Sequence, residues 1–278
     1  MSTLAGVVGF PVAHSRSPQM HEAAYRALGL DWRYVKLAVP PARFVDTVGA
    51  LPGSGYRGVN VTIPHKVAAL QLADASTAAA AAIGAANTLT FADGVEADNT
   101  DAGGLIDALP AGRRSAEGAR ALVLGAGGAA RAVVWALRES GASEVSVWNR
   151  TPERARALAR ELDVHRVGRP GPADLLVNAT AVGLDVALKE ADVLELLGLS
   201  GLAPAAIVVD LVYGDGPTHL ARWAERGGAA VVDGIDVLVC QGARSFERWT
   251  GHAAPISVMR EAARALPQSR IGDSPFRP

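Results

Sequence analysis

A lysine at the start of a helix is an electrostatic misfit, because the partial positive charge of the first turn favours acidic groups. In Asn60-Val61-Thr62-Ile63-Pro64-His65-Lys66 the proline ends an extended run and delivers Lys66 to such a start. The two-residue period of a strand sends Asn60 and Thr62 to one face and the apolar residues to the other. Polar groups crowded at the C-terminal end of a strand suit the wall of a cleft, with a solvated lysine as the plain alternative. Ser15 and Ser17 bracket Arg16 just before Pro18, so two hydroxyls two apart on an extended segment point the same way. Ser17 is also a candidate N-cap for the helix opening at Pro18, and capping does not prevent the same helix end from binding a carboxylate. Asn87 and Asp101, taken alone, read as a strand-end amide and a helix cap.

A second constellation is built for phosphate. Leu122-Val123-Leu124 runs into Gly125-Ala126-Gly127-Gly128-Ala129-Ala130 and then a helix through Ser140. The glycines allow a sharp turn and close approach of a pyrophosphate to exposed N–H groups at a helix N-terminus, and Ala130 takes the third small position. A tight packing turn is the alternative, which the flanking strand and helix disfavour. At the end of the next strand, NAD enzymes usually carry an acidic residue that accepts from the ribose 2′-OH. Here the chain reads Asn149-Arg150-Thr151, with Arg154 one turn on. A guanidinium fork with neighbouring amide and hydroxyl donors suits a phosphate monoester, so the cofactor expected is NADP(H).

The elements that must position these groups follow from the apolar pattern. Strands are expected at Leu4–Gly9, Arg33–Val39, Gly58–Ile63, Thr88–Phe91 and Val95–Asp98, the last two joined by an Asp93-Gly94 hairpin turn. Helices are expected from Pro18 to before Gly29, over Ala42–Leu51, from Lys66, and through the alanines ending at Gly84. This βαβ rhythm predicts an α/β fold whose first sheet is mainly parallel. Six more strands, near Ala121–Leu124, Glu144–Trp148, Val164–Val167, Asp174–Asn178, Ala206–Val212 and Ala229–Val232, suit a doubly wound Rossmann unit. The expected division is a substrate-binding domain over residues 1–101, a Rossmann domain over 102–234, helices over 235–266 returning to the first domain, and a loose tail over 267–278, with a cleft between the domains.

Composition excludes several classes. With 27 basic and 28 acidic residues, the net charge of -1 gathers neither nucleic acid nor anionic lipid. The single cysteine, Cys240, forms no internal disulfide, and no apolar run approaches the roughly 18 to 20 residues of a membrane span. A cytoplasmic enzyme acting on a small molecule, as monomer or homodimer, is expected. His14, His21 and His65 lack metal-ligand spacing, and no metal is expected.

Taken in register, Gly9-Phe-Pro-Val-Ala-His14-Ser15-Arg-Ser17-Pro18, Asn60-Val-Thr62-Ile-Pro64-His-Lys66, Gly84-Ala-Ala-Asn87-Thr88, Asn99-Thr100-Asp101 and Gly125-Ala-Gly-Gly-Ala resemble shikimate dehydrogenase. The resemblance runs on through Asn149-Arg150-Thr151, Asn178-Ala-Thr180, Asp210-Leu-Val-Tyr213 and Gly234 to Gln241 and Phe246, nearly to the tail. It implies reversible NADPH-dependent reduction of 3-dehydroshikimate to shikimate in aromatic amino-acid and chorismate biosynthesis. It further implies that Lys66 and Asp101 are the catalytic pair and that Ser15 and Ser17 hold the substrate carboxylate. Asn60, Thr62, Asn87, Tyr213 and Gln241 would surround the ring hydroxyls. Gly125, Ala126, Gly127, Gly128, Ala129, Asn149, Arg150, Thr151, Arg154, Thr180, Leu211 and Gly234 would bind the cofactor. Two departures bear on the nicotinamide side: Tyr213-Gly-Asp-Gly-Pro217-Thr218-His219-Leu220 lacks the family's proline soon after the tyrosine, and Ala181-Val182 replaces a common serine. Alternatives are a paralogue acting on quinate or an amino-shikimate, and a non-catalytic NADP-binding sensor. Arg150 argues against the quinate enzymes, which often favour NAD.

Overall fold

A computed structural model of the chain describes residues 2–185 and 187–265; the tail expected over 267–278 lies outside them. The N-terminal part runs β1 (Thr3–Gly9), α1 (Ser17–Ala27), β2 (Trp32–Ala38), α2 (Phe44–Gly49), β3 (Tyr56–Val61), α3 (Lys66–Leu72), β4 (Ala75–Ser76), α4 (Ala78–Ile83), β5 (Thr88–Phe91) and β6 (Val95–Asp98). These strands form one six-stranded sheet in the order β2-β1-β3-β5-β6-β4. The pairs β1–β2, β1–β3 and β4–β6 are parallel, while the β5–β6 hairpin makes β3–β5 and β5–β6 antiparallel.

The chain then crosses through α5 (Thr100–Ala108) into β7 (Arg120–Leu124), α6 (Gly128–Glu139), β8 (Glu144–Trp148), α7 (Pro152–Glu161), β9 (His165–Arg166), β10 (Leu175–Asn178), α8 (Glu190–Leu196), β11 (Ile207–Asp210), α9 (His219–Arg226) and β12 (Ala230–Val232). All five ladders of this second sheet are parallel. Its order, β12-β11-β10-β7-β8-β9, is the doubly wound dinucleotide order, with the switch point between β7 and β10. The central strands are apolar on both faces because helices cover both: Leu122, Leu124 and Val208 pack on one side, Val123, Val147 and Val209 on the other.

Two long helices close the structure, α10 (Gly234–Thr250) and α11 (Ile256–Arg264). Both belong to the apolar cluster of the first sheet, where Phe246, Trp249 and Met259 meet Val7, Met20 and Tyr25. Contact is close because Gly58 leaves room: a Cβ there would lie 2.2 Å from Trp249 Nε1, which instead donates to the Leu89 carbonyl at 3.2 Å. Among the described residues no helix is long and apolar enough to cross a membrane.

The structure departs from the expected elements at points with local causes. The strand expected to reach Ile63 ends at Val61, after which Ile63 and Pro64 form a cis peptide and Ile63 turns out to solvent. The strand expected to reach Val212 ends at Asp210, whose carboxylate takes the Val212 N–H at 3.1 Å and turns the chain. Ser17 is not an N-cap: Arg16 occupies that position with no side-chain cap, and Ser17 is the first residue of α1. Asp101 is not a cap either, because Asn99 takes that role for α5 and accepts from the Ala102 N–H.

One buried group carries a pH consequence. His21 is fully buried, stacked on Tyr34 at 4.2 Å, and neither ring nitrogen has a hydrogen-bond partner within the protein. Burial lowers its pKa from 6.5 to about 3. Above pH 6.5 both folded and unfolded states carry it neutral. Below, the unfolded chain takes up a proton that the folded one refuses, so stability falls by about 1.4 kcal/mol per pH unit on acidification. Between pH 6.5 and 4.5 that amounts to about 2 kcal/mol. His21→Phe keeps a stacking ring without the titration, so its urea midpoint is expected to fall less over this range. Parallel losses in variant and parent would remove His21 as the cause.

Candidate functional site

The C-terminal ends of β1, β3, β10 and β11 and the N-terminal end of β5 converge on a cleft of about 270 Å³ between the two sheets. Lys66 opens α3, one turn beyond the cis Ile63-Pro64 bond, and its carbonyl accepts from the Ala86 N–H at 2.8 Å, which draws the Gly84–Asn87 segment alongside. The adjacent His65 is locked by Phe44, stacked at 4.5 Å, and by the Val39 carbonyl, 2.7 Å from Nε2. From the first turn of α5, Asp101 meets Lys66, with Oδ2 2.5 Å from Nζ. Both side chains are largely sheltered, 14% and 20% exposed, so the pair feels weaker solvent screening than a surface ion pair.

Asn87 is the hub of the surrounding network. Its amide nitrogen lies within bonding distance of Asp101 Oδ1 (2.7 Å), Thr100 Oγ1 (3.0 Å) and Gln241 Oε1 (3.1 Å), and its oxygen accepts the Thr100 N–H at 2.7 Å. Two hydrogens cannot fully serve three acceptors, which leaves acceptor capacity on Gln241 for a ligand hydroxyl. Gln241 comes this close because α5 and α10 touch at Gly104, where a Cβ would stand 2.5 Å from the Gln241 backbone nitrogen. Asn60 receives the Tyr34 hydroxyl at 2.7 Å and donates to Thr88 Oγ1 at 3.1 Å, so its orientation is set before any ligand arrives.

Ser15 and Ser17 lie at the entry to α1, both buried, with the Ser17 N–H donating to Ser15 Oγ at 3.3 Å. Thr62 lies just past the end of β3 on the same wall as Asn60, and Tyr213 follows β11 across the cleft. Burial pushes the Tyr213 phenol up, opposed by the Arg16 backbone N–H and the Ser15 hydroxyl, both within hydrogen-bonding reach. Every residue expected to touch substrate, namely Ser15, Ser17, Asn60, Thr62, Asn87, Tyr213 and Gln241, therefore lines the cleft that contains Lys66 and Asp101.

The residues expected at the cofactor fall into two groups. Ala129, Thr180, Leu211 and Gly234 line the same cleft. Gly125, Ala126, Gly127 and Gly128 form the turn from β7 into α6 and lie outside its lining, as do Asn149, Arg150, Thr151 and Arg154 beyond β8. The turn fits a phosphate. Gly125 has φ +118° and backs onto the Ala179 carbonyl, 2.8 Å from where a Cβ would be, whereas nothing lies within 4 Å of a Cβ on Gly127. Gly128 differs again, since a Cβ there would press the Lys66 stem at 3.0 Å, so the turn also backs the lysine. Thr151 caps α7 without using its hydroxyl, and neither Arg150 nor Arg154 meets a carboxylate among the described residues, so hydroxyl and guanidinium donors stay free for an anion.

Other supporting residues carry no motif of their own. Asp210 is buried, and burial raises its pKa to about 6 against the bonds from Thr218, the Val212 N–H and Asn178. It receives Asn178 Nδ2 at 2.8 Å and Thr218 Oγ1 at 2.6 Å, tying together the loops that bear Thr180, Leu211 and Tyr213. Tyr34, Thr88, Thr100 and Ser245 complete the network behind Asn60 and Asn87.

Comparison with known proteins agrees along the chain. Residues 7–89 match the model of the shikimate dehydrogenase substrate binding domain, residues 111–181 that of shikimate / quinate 5-dehydrogenase, and residues 234–264 that of the shikimate 5'-dehydrogenase C-terminal domain. The chain is 42% identical over 277 residues to a shikimate dehydrogenase (NADP(+)) of Methanothermobacter thermautotrophicus, covering 95% of this chain and 96% of that one. A second, from Anaeromyxobacter dehalogenans, is 44% identical over 280 residues, covering 97% and 98%. The crystal structure of shikimate 5-dehydrogenase from Thermus thermophilus in complex with NADP(H) and shikimate superposes with a TM-score of 0.82 at 42% identity, covering 94% of this chain and 98% of that one. By identity over nearly its whole length, the chain belongs to the shikimate dehydrogenase family.

Proposed function

We propose that this protein is an NADP-dependent shikimate dehydrogenase that reversibly reduces 3-dehydroshikimate to shikimate, working in the cytoplasm as a monomer or homodimer. The observation that carries the reading is the sheltered Lys66–Asp101 pair, set in a cleft with a hydroxyl and amide wall on one side and the dinucleotide turn beside it. Residues 1–101 with the helices of 235–266 are read as the substrate domain, and 102–234 as the NADP domain. The apolar cluster that joins α10 and α11 to β1 and α1 supports this division.

The roles follow from the chemistry. NADPH supplies the hydride, and its 2′-phosphate is assigned to Arg150, Arg154 and the Asn149 and Thr151 donors. The buried hydroxyls of Ser15 and Ser17, at the N-terminus of α1, suit a carboxylate. Asn60, Thr62, Asn87, Tyr213 and Gln241 suit the ring hydroxyls. Reduction of the ketone builds negative charge on its oxygen, which the Lys66 ammonium stabilises as the Lys66–Asp101 pair delivers the proton. Asp101 is held by Asn87 on one oxygen and grips Lys66 with the other, so it aims the ammonium. In the direction of shikimate oxidation the same pair takes the hydroxyl proton.

A steady-state panel of shikimate, quinate and amino-shikimate with NADP and NAD tests the assignment. Shikimate with NADP is expected to exceed every other combination in kcat/KM by about 100-fold, the discrimination available to a site built around specific ring hydroxyls and a charged phosphate. Preference for quinate or for NAD would overturn it.

A further inference from the structure

A second cavity, of about 240 Å³, lies behind the substrate cleft and shares Tyr213 with it. Arg16, the residue between the two serines, lines this second cavity and is itself buried. Its Nη1 donates to the Ala263 carbonyl in the last turn of α11 at 2.9 Å, where a cation also suits the helix dipole. Its Nη2 donates to the Gly214 carbonyl at 2.9 Å and to the Asp215 carboxylate at 2.7 Å. One side chain thus spans from the substrate-facing serines to the loop after β11 and the C-terminal helix.

That loop needs an outside tie. Tyr213 is followed by Gly214-Asp215-Gly216, and nothing lies within 4 Å of where either glycine would carry a Cβ. Two unpacked glycines give the segment wide backbone freedom. Asp210 secures the two ends of the stretch, through the Val212 N–H and the Thr218 hydroxyl. Between those ends, Arg16 supplies the bonds to the Gly214 carbonyl and to the Asp215 carboxylate.

We propose that Arg16 and Asp215 form a latch that holds Tyr213 in place against the shikimate subsite. The proposal rests on the reading of Tyr213 as a substrate-facing residue. Arg16 and Asp215 are positioning residues. They line the cavity behind the cleft and act through the phenol, which has the Arg16 backbone N–H and the Ser15 hydroxyl within reach. The Asp215 side chain is 78% exposed, so the pair adds little to global stability, and its effect lies in the ordering of the loop.

The test compares Asp215→Ala, Tyr213→Phe and the double variant in the full chain, reading KM for shikimate, KM for NADP, kcat and Tm. Asp215→Ala is expected to raise KM for shikimate about 3- to 10-fold, the cost of ordering one side chain and its loop at binding, with KM for NADP within about 2-fold and Tm within about 2 °C. In the Tyr213→Phe background the same change is expected to add less than about 2-fold, because the hydroxyl it positions is gone. An unchanged KM for shikimate in Asp215→Ala, with a raised one in Tyr213→Phe, overturns the latch alone. Additive effects overturn its action through Tyr213. A KM rise accompanied by a Tm drop beyond about 5 °C marks a loosened fold and overturns it as well. An unchanged KM in Tyr213→Phe overturns the reading of Tyr213 and the latch with it.

Discussion

Lys66→Ala is expected to lower kcat by about three orders of magnitude while shikimate still binds within about fivefold of its original affinity. The asymmetry follows from when the charge exists. Shikimate and its ketone carry no charge on the reacting oxygen, so Lys66 offers the ground state one hydrogen bond among many; only as hydride arrives does that oxygen become an alkoxide. An interaction made in the transition state falls on kcat, and one made equally in both states falls on KM. The remaining wall is expected to persist in the variant, because Asn60 and Asn87 are oriented by Tyr34, Thr88 and Thr100 and not by the lysine. Lys66→Arg is not expected to rescue turnover. A guanidinium does not give up its proton near neutral pH, and the stem runs against Gly128, where a Cβ would already stand 3.0 Å away. Steady-state kinetics with a calorimetric titration of shikimate decide the matter. Near-normal turnover, or loss of binding in proportion to rate, would remove Lys66 from its role.

Much of this arrangement is legible in the sequence alone, for physical reasons that differ by region. The central strands of the second sheet, β7, β10 and β11, are short apolar runs buried on both faces, and the repeating alternation of strands with helices left little choice of topology. Gly125-Ala-Gly-Gly in front of a helix has few uses other than admitting a phosphate. Lys66 stood out because its type conflicts with its place at a helix start. What escaped were features that depend on partners distant in sequence. β4 is two residues long, and its pairing with β6 has no pattern to announce it. Ser17 looked like a cap because its neighbours are those of a helix start, yet the backbone places Arg16 there instead. Nothing in the sequence marks Arg16 beyond its place between two serines, because its acceptors at Gly214 and Ala263 are 198 and 247 residues away. Nothing in the sequence marks Tyr34 either. That Tyr34 orients Asn60 is legible only once β2 and β3 are known to flank β1.

Arg150→Ala is expected to raise KM for NADP by about 10- to 100-fold and leave KM for NAD within about 2-fold, as expected for removal of a charge-assisted bond worth about 1.5–3 kcal/mol. The prediction depends on where the residue is and on what it lacks. Arg150 follows β8, the second strand of the doubly wound order, where a dinucleotide fold presents its ribose-reading residue. Among the described residues no carboxylate engages it, so its donors need not be taken from another partner to meet a phosphate. Arg154, one turn into α7, shares the field, and the Thr151 hydroxyl is unspent in capping, so Arg150→Ala should weaken the phosphate clamp without erasing it. Arg150→Ala with Arg154→Ala is then expected to bring KM for NADP close to that for NAD, since the 2′-phosphate would be left with neutral donors only. The loss should also shrink as salt rises, because both guanidiniums are exposed and their attraction is screened. Kinetics with both cofactors at low and high ionic strength measure each part. Equal damage to NADP and NAD would mean that Arg150 supports the turn and does not read the phosphate, and the basis for the cofactor preference would then have to lie at Arg154 or in the glycine turn itself.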